Sequence, residues 1–244
     1  MLQAVDDVRL QLVPGAWPLT DEIRGRVDEH WRAQVAANPH LWNGKVLGAL
    51  APGLPGGVAI KDGVISAHVV EGDFASFIAW RDWGFPEVGI RNLFGSALVL
   101  STDGAIIFGV MADTTANAGK IYPPGGSLEP SDCDAEGRVG LVASIERELN
   151  EETGLIATDA RCEGMLAAFD GPRVAIGRLF RFAARASDLV DEIMANLERQ
   201  EERELARVVA FRPGDDLDSP MLMPYARTFA ASLVGDGARA FGLG

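Results

Sequence analysis

The residues that most restrict the fold are three glutamates near the end of an amphipathic segment, residues 139–154. Advancing about 100° per residue along a helix places Glu148, Glu151 and Glu152 within one arc of roughly 100°, beside an apolar stripe. Like charges at this spacing repel by roughly 0.2–0.5 kcal/mol per pair, and the carboxyl end of a helix favours cations. The segment therefore indicates either a solvated acidic face or a site for a divalent cation.

Glycines frame this helix on both sides. Gly125 and Gly126 follow an apolar strand and precede the helix, where the missing Cβ lets the backbone pass close to a ligand. Gly154 follows the helix and suits the left-handed position that ends many helices. This context favours the cation site over the solvated face.

Two short segments resemble a known motif. Residues 147–155 read Arg-Glu-Leu-Asn-Glu-Glu-Thr-Gly-Leu, and residues 122–126 read Tyr-Pro-Pro-Gly-Gly. The first is similar to the second half of the Nudix box, and the second resembles the segment that opens the box. The resemblance covers residues 122–155 as a motif and about residues 96–241 as a fold. It implies an α/β fold, an α/β/α sandwich around a mixed sheet, and metal-dependent hydrolysis of a diphosphate bond.

The resemblance also implies roles for single residues. Glu148, Glu151 and Glu152 would bind Mg²⁺ or Mn²⁺, with the Gly125 carbonyl as a further ligand. Arg147 would orient Glu148 through a charge-assisted hydrogen bond, and Glu151 or Glu152 could act as general base. The metal would neutralise the diphosphate and lower the pKa of an attacking water. These four side chains are the expected catalytic residues.

The segment between the two halves of the motif departs from the family pattern. Gly126 and Arg147 enclose twenty residues, more than the family has, and Val139 stands where the first box glutamate is expected. Four acids of the enlarged loop, residues 127–138, could substitute for it: Glu129, Asp132, Asp134 and Glu136. Because the loop has few apolar anchors, we expect it to be mobile without ligand.

The expected substrate-binding residues are Gly125, Gly126 and two cations, Lys120 and Arg91, with Arg81 as a further candidate. Three aromatic residues could stack on a base, although such clusters more often form core: Trp80, Trp83 and Phe85. Three later acids are either a source of one more metal ligand or an exposed helix end: Glu201, Glu202 and Glu204.

The first ninety residues are expected to form a smaller α+β unit of unknown role, followed by a hydrolase domain at residues 91–244. Thr20 and Asp73 are the expected N-caps of its two helices, and a hairpin turns at residues 61–63. In the second part a final helix is expected from Pro224 to Gly235. Strands and helices interleave without a regular βαβ rhythm, which predicts a mixed sheet with helices on its faces.

Charge and cysteine content restrict the partners. The 22 basic and 35 acidic residues give a net charge of −13, which argues against a broad nucleic-acid surface. Cys133 and Cys162 lack metal-ligand spacing and are expected to be free thiols of a reducing compartment. The start of the chain is unlike a signal peptide, and no apolar run approaches the ~20 residues that cross a bilayer. We expect a cytoplasmic protein with no membrane partner, and a homodimer is an open alternative.

The expected function is metal-dependent hydrolysis of the diphosphate bond in a nucleoside diphosphate linked to another group, of the nucleotide-sugar or ADP-ribose type. Residues 38–44 weakly resemble the amino-terminal part of Nudix proteins that act on nucleotide sugars. Two alternatives stay open: a nucleoside triphosphate pyrophosphohydrolase, and a Nudix-fold ligand-sensing module without turnover.

Overall fold

The computed structural model describes residues 1–234, and residues 235–244 lie outside the described part. The helices of this part are α1 (Asp21–Ala37), α2 (Phe74–Asp82), α3 (Leu141–Thr153), α4 (Ala186–Leu197) and α5 (Pro224–Leu233). The strands are β1 (Leu2–Val5), β2 (Asp7–Ala16), β3 (Lys45–Leu50), β4 (Ala59–Lys61), β5 (Val64–Asp73), β6 (Ile90–Leu100), β7 (Ile106–Met111), β8 (Ile121–Tyr122), β9 (Ala160–Asp170), β10 (Arg173–Phe182) and β11 (Leu205–Phe211). Two turns of 3-10 helix lie at Pro130–Asp132 and Ala157–Asp159.

The strands form one mixed sheet. Its main path runs β1-β9-β10-β6-β3-β5-β2, and β7 joins β6, β8 and β11. The pairs β10–β6 and β2–β5 are parallel, and the other strand pairs are antiparallel. The mixed sheet that the sequence predicts is confirmed.

Helices cover both faces of the sheet at β6. The ring of Phe94 meets Tyr225 of α5 with 5.1 Å between ring centroids. A Cβ on the next residue, Gly95, would lie 2.3 Å from a side-chain carbon of Ile145 in α3. Because successive strand residues point to opposite faces, α3 and α5 lie on opposite sides. The expected α/β/α layers are confirmed.

The amino-terminal strands belong to the same sheet as the rest. In β1, Leu2 lies opposite Ala168 of β9, and in β3, Ala49 lies opposite Arg91 of β6. The expected boundary between residues 90 and 91 therefore falls inside β6, and strands from both sides of it share hydrogen bonds. The division into two domains stays a prediction.

The local helix signals of the sequence are confirmed where the structure describes them. The Thr20 hydroxyl accepts from the backbone N–H of Ile23, and the Asp73 carboxylate accepts from that of Ser76. The last helix begins at Pro224 as expected, whereas its expected end, Gly235, lies outside the described residues.

The start of α3 differs from the expectation. The helix begins at Leu141 rather than near Val139, because Val139 pairs with Cys133 in an isolated β-bridge. The backbone N–H of Val139 also donates to the Leu10 carbonyl at 3.0 Å. These contacts hold the residue in extended backbone and delay the helix.

The enlarged loop has few apolar anchors, as expected, but hydrogen bonds to neighbouring strands also hold it; its mobility without ligand stays a prediction. Leu128 is 1% exposed, and its carbonyl accepts from the Leu47 backbone N–H at 2.7 Å. The Gln11 amide donates to the Glu136 carbonyl at 2.8 Å, and the turn at Pro130–Asp132 satisfies further backbone groups. The loop is packed against β2, β3 and α3.

The structure also bears on the expectations about the cysteines and about membrane-spanning helices. Cys133 and Cys162 are free thiols. Among the helices within residues 1–234, none has both the length and the apolar character that a bilayer crossing requires.

Candidate active site

All four expected catalytic residues lie on α3, whose apolar side is fully buried at Ile145 and Leu149. The three carboxylates differ in exposure. Glu152 is buried, the Glu148 side chain is 15% exposed, and that of Glu151 is 59% exposed. The sequence correctly placed the acids beside the buried stripe.

The Gly125–Gly126 segment lies directly against β6 and α3. A Cβ at Gly125 would lie 2.3 Å from the Gly95 carbonyl oxygen, and one at Gly126 would lie 2.9 Å from the Glu148 carboxyl. Any larger residue would push the segment away from the carboxylates. At the other end of α3, Gly154 has φ 78° and ends the helix in the left-handed conformation, as expected.

Glu152 is a buried acid with one satisfied oxygen. Its Oε1 accepts from the backbone N–H of Gly125 at 3.2 Å. Its Oε2 is buried and has no hydrogen-bond partner among the described residues. Desolvation raises the pKa of Glu152 well above its usual range, and the charges of Glu204 and Glu148 raise it further. Such a carboxylate strongly favours a neutralising partner.

Glu148 is the second perturbed acid. Burial raises the pKa of Glu148 to about 7, against the opposing effect of the Arg147 charge. The Arg147 guanidinium forms an ion pair with Glu148 Oε1 at 2.9 Å, and the orienting role expected for Arg147 stays a prediction.

Arg147 also connects α3 to the enlarged loop. Its Nη2 donates to Asp132 Oδ1 at 2.9 Å and to the Ser144 hydroxyl at 3.3 Å. The Asp132 side chain is only 6% exposed. Of the four loop acids that could substitute for the first box glutamate, Asp132 is therefore the one that contacts the box arginine. Val139, at the expected position, is a buried apolar residue.

Of the three later acids, Glu204 lies at the site. It lines the same cleft as Gly125 and Gly126. Although Glu204 is exposed as a residue, partial desolvation of its carboxyl raises its pKa, and the charge of Glu151 adds to this effect. Its charge is in turn the second cause of the raised pKa of Glu152.

The cleft beside this cluster has a volume of about 200 Å³, and we call it the aromatic cleft. The carboxyl-terminal part of the chain lines it with Gly125, Gly126, Glu204, Tyr225, Asn92 and Arg173. The amino-terminal part lines it with Phe74, Phe77, Arg81 and Phe85. Residues distant in sequence thus meet at the Gly125–Gly126 segment.

The two expected phosphate-binding cations lie outside this cleft, and their role in phosphate binding stays a prediction. Arg91 pairs with Glu87 at 2.9 Å, and within residues 1–234 neither Arg91 nor Lys120 lines the aromatic cleft. Arg81, the further candidate, does line it. Arg173 was missed by the sequence interpretation, because its position in a strand carries no signal of what it faces.

The three aromatic residues that could stack on a base lie in three different places. Trp80 is 2% exposed and donates its ring N–H to the Pro86 carbonyl, so it is core, as such clusters usually are. Trp83 lines a different cavity between α1 and α2. Phe85 lines the aromatic cleft.

The candidate ligand atoms, glutamate carboxylates and the Gly125 carbonyl, are of the type that binds a hard divalent cation. Carboxylate and carbonyl oxygens are the ligands that Mg²⁺ takes in proteins, and the unpartnered Oε2 of Glu152 is a buried acceptor of this kind. As the side chains stand, no three His, Cys, Asp or Glu residues within the described part are grouped closely enough to hold a metal ion. Glu148 is turned to Arg147 and Glu152 to Gly125.

No family model matches the chain, and no curated protein matches it by sequence. Solved structures do match. The MutT protein from Methanosarcina mazei Go1 is 20% identical over 58% of this chain and 91% of that chain, with a TM-score of 0.40. The Nudix hydrolase RenU from M. smegmatis is 16% identical over 59% and 81%, with a TM-score of 0.40.

A third match is the Nudix domain of Shewanella oneidensis NrtR, solved in complex with ADP ribose. It is 13% identical over 62% of this chain and 87% of that chain, with a TM-score of 0.37. RenU and NrtR are named as proteins of the family that residues 147–155 resemble. With sequence identities and TM-scores this low, the similarity to these structures supports no conclusion about function.

Proposed function

We propose that this chain is a Nudix-type hydrolase that uses Mg²⁺ or Mn²⁺ to split the diphosphate bond of a nucleoside diphosphate linked to another group. The observation that carries the proposal is Glu152, a buried carboxylate with one unpartnered oxygen, placed near Glu148 and Glu204. An uncompensated buried charge is costly. A fold that keeps several acids together here gains if a cation joins them.

Each residue of the candidate active site has a proposed role in this reaction. Glu148, Glu151 and Glu152 would hold the cation together with the Gly125 carbonyl, after rotation of the glutamate side chains. When bound, the cation neutralises the diphosphate and lowers the pKa of the attacking water. Arg147 holds the Glu148 carboxylate in place, and a glutamate of the cluster that is not neutralised accepts the proton of the water.

Other features support a small phosphorylated substrate. Gly125 and Gly126 allow close approach of a diphosphate to the α3 carboxylates. Arg81 and Arg173 line the adjoining cleft. Each is ion-paired with a neighbouring acid, Asp82 and Asp170, so a substrate phosphate would share the guanidinium with that acid. The net charge of −13 disfavours a nucleic-acid substrate.

Two other functions would use the same site. A nucleoside triphosphate pyrophosphohydrolase differs only in the substrate and releases pyrophosphate. A ligand-sensing module would bind a nucleotide without turnover and would not depend on a buried unpartnered carboxylate.

The test is a substrate screen of the purified chain with nucleotide sugars, ADP-ribose, dinucleoside polyphosphates and nucleoside triphosphates, each with Mg²⁺, Mn²⁺ or chelator. We expect metal-dependent release of a nucleoside monophosphate and a second phosphate ester. Glu152→Gln should lower kcat by at least ~10²-fold, since metal-bound charge stabilisation contributes several kcal/mol.

The matched control is Glu192→Gln, which removes an exposed acid of α4 and should leave turnover unchanged. Pyrophosphate as the main product would favour the triphosphate alternative. Saturable nucleotide binding with no turnover above the Glu152→Gln background would favour the sensing module.

A further inference from the structure

The aromatic cleft is built jointly by the two parts of the chain, and its amino-terminal wall has no counterpart in the motif. Phe74, Phe77 and Arg81 come from α2, and Phe85 follows that helix. Opposite them stand the Gly125–Gly126 segment and Arg173. The Gly125–Gly126 segment, which contacts the α3 acids, thus shares this cleft with a wall made by residues 74–85.

The α2 wall offers aromatic faces to the cleft. Phe74 and Phe77 are half-buried, and their rings lie 5.9 Å apart with a tilt of 36°. Trp31 packs edge-on against Phe74 with 6.3 Å between the ring centroids. The two phenylalanine rings are therefore held in place and still reach the cleft.

Phe85 is held in the cleft at a conformational cost. Its φ is +57°, a left-handed conformation that a bulky residue rarely adopts. Such outliers persist where the surrounding structure imposes them, often at ligand sites. Here the ring packs edge-on against Trp80 with 4.8 Å between the ring centroids and lies 5.3 Å from the Arg173 guanidinium.

Arg173 brings hydrogen-bonding capacity to the same place. One end of its guanidinium pairs with Asp170, while Nε is buried with no hydrogen-bond partner among residues 1–234. Its neighbour across the parallel β10–β6 pair is Asn92, which also lines the cleft. Because this Nε has almost no exposed surface, a ligand would reach it only after a shift of the Arg173 side chain, whereas the amide of Asn92 can donate or accept as it stands.

The size of the cleft limits the occupant. Pockets for drug-sized ligands usually measure roughly 300–1,000 Å³, and this cleft is about 200 Å³. The enclosed part accommodates one ring system, and because the cleft is open to solvent the rest of a larger substrate can extend out of it. Aromatic walls stack on any nucleobase, and the polar lining of the cleft includes Arg81, Asn92 and Arg173.

From these observations we infer that the aromatic cleft holds the nucleobase of the substrate, and that Phe74, Phe77 and Arg173 determine how tightly it binds. This inference rests on the proposed function and assigns a substrate-selecting role to the amino-terminal part of the chain. The diphosphate would extend from the cleft to the Gly125–Gly126 segment and the α3 carboxylates.

The inference is tested by binding without turnover. In chelator, calorimetry compares the four common ribonucleoside monophosphates with ribose 5-phosphate, which lacks the base. At least one nucleotide should bind tenfold more tightly than ribose 5-phosphate. Phe77→Leu keeps an apolar residue and removes the aromatic face, so it should weaken that nucleotide about tenfold and ribose 5-phosphate by less than twofold.

Phe74→Leu is an independent second variant with the same expected pattern, and thermal melting checks that both variants fold. The matched control is Trp42→Leu, which removes an aromatic side chain at a residue that is 81% exposed and should leave both affinities unchanged. Equal binding of nucleotides and ribose 5-phosphate by the wild type would overturn the inference, as would equal losses for both ligands in the two phenylalanine variants.

The two proposals fail in distinguishable ways. Metal-dependent hydrolysis with no base preference in binding would leave the proposed function intact and overturn the nucleobase cleft. Base-dependent binding that both phenylalanine variants weaken, in a protein without turnover, would support the cleft and overturn the hydrolase.

Discussion

The guanidinium of Arg147 lies 2.9 Å from the Asp132 carboxylate, and this ion pair ties the helix of the candidate active site to the enlarged loop. The same guanidinium contacts Glu148 at 2.9 Å. An acid outside the motif thus holds the residue that orients a proposed metal ligand.

Asp132→Asn should therefore lower activity through Arg147 rather than through substrate binding. A hydrogen bond to a charged group contributes about 1.5–3 kcal/mol, and Arg147 keeps other partners, so we expect kcat to fall about tenfold with little change in KM. Asp132→Glu should restore part of the loss, because it returns the negative charge. The control is Asp134→Asn, at an exposed acid that pairs with Arg138. A loss of the same size in that control would mean that loop stability, not Arg147, is responsible.

The stability of the metal-free protein should depend on pH through Glu148. Its pKa rises from 4.5 to about 7 in the fold, so the folded state holds the proton more tightly than the unfolded chain. The stabilisation is then complete below the unfolded pKa and is lost as the pH rises through the folded pKa. Relative to Glu148→Gln, the wild type should lose on the order of 2 kcal/mol of unfolding free energy between about pH 4.5 and pH 8. Urea unfolding in chelator measures this difference, and a difference that is flat with pH would contradict the assignment.

Glu152 and Glu151 should respond differently to removal of charge. Without metal, Glu152→Gln should gain stability relative to the wild type as the pH rises, because a buried carboxyl is costly to ionise, whereas the amide stays neutral and its oxygen still accepts from the Gly125 N–H. Glu151→Gln, at a side chain 59% exposed, should change metal-free stability little. Thermal melting of the three proteins in chelator gives the comparison, and equal shifts for the two variants would argue against a special environment at Glu152.

Added metal should then stabilise the wild type more than either variant. A ligand that binds only the folded state adds about 2.7 kcal/mol at a hundred times its Kd, so millimolar Mg²⁺ or Mn²⁺ should raise the Tm by several degrees. Measurements at fixed ionic strength, with Glu192→Gln as control, exclude general salt effects. The same rise in Tm for the wild type, the two α3 variants and the control would mean that the α3 acids are a solvated surface cluster and not a metal site.

Amide hydrogen exchange should show that the enlarged loop is ordered before any ligand binds. The backbone N–H groups of Asp132 and Asp134 donate to carbonyls of the loop itself, and Leu128 anchors it in the core. We expect measurable protection of these amides in chelator, below that of Leu149 inside α3. Exchange of these amides at the rate of an unstructured peptide would show instead that the loop is mobile, as the sequence predicts.

The helix α3 and the position of its acids beside the buried stripe were predictable because their signals are local. The helical spacing of Glu148 and Glu152 beside Leu149, the glycine pair and the terminal Gly154 each follow from chain geometry within a few residues. The structure adds only their exposure and their partners.

The rest of the site depends on contacts between distant segments. Nothing in the loop sequence distinguishes Asp132 from its three acidic neighbours, because the choice depends on the 3-10 turn at Pro130–Asp132 and its position against α3. Arg173 faces the cleft because β10 lies beside β6, and that pairing leaves no trace in local spacing. The ion pair of Arg91 with Glu87, four residues earlier, is likewise not part of the motif, and the role of Arg91 stays a prediction.

The pairing of β1 with β9 also has a consequence for how the chain acquires its structure. Leu2–Val5 form a strand whose partners are residues 165–168, so the first strand stays without its neighbour until most of the chain has been synthesised. Contacts this far apart in sequence close late and slow folding. Until then an unpaired strand edge is open to association with other chains. Weakening β1 should therefore affect the yield of refolding before it affects the chemistry on α3.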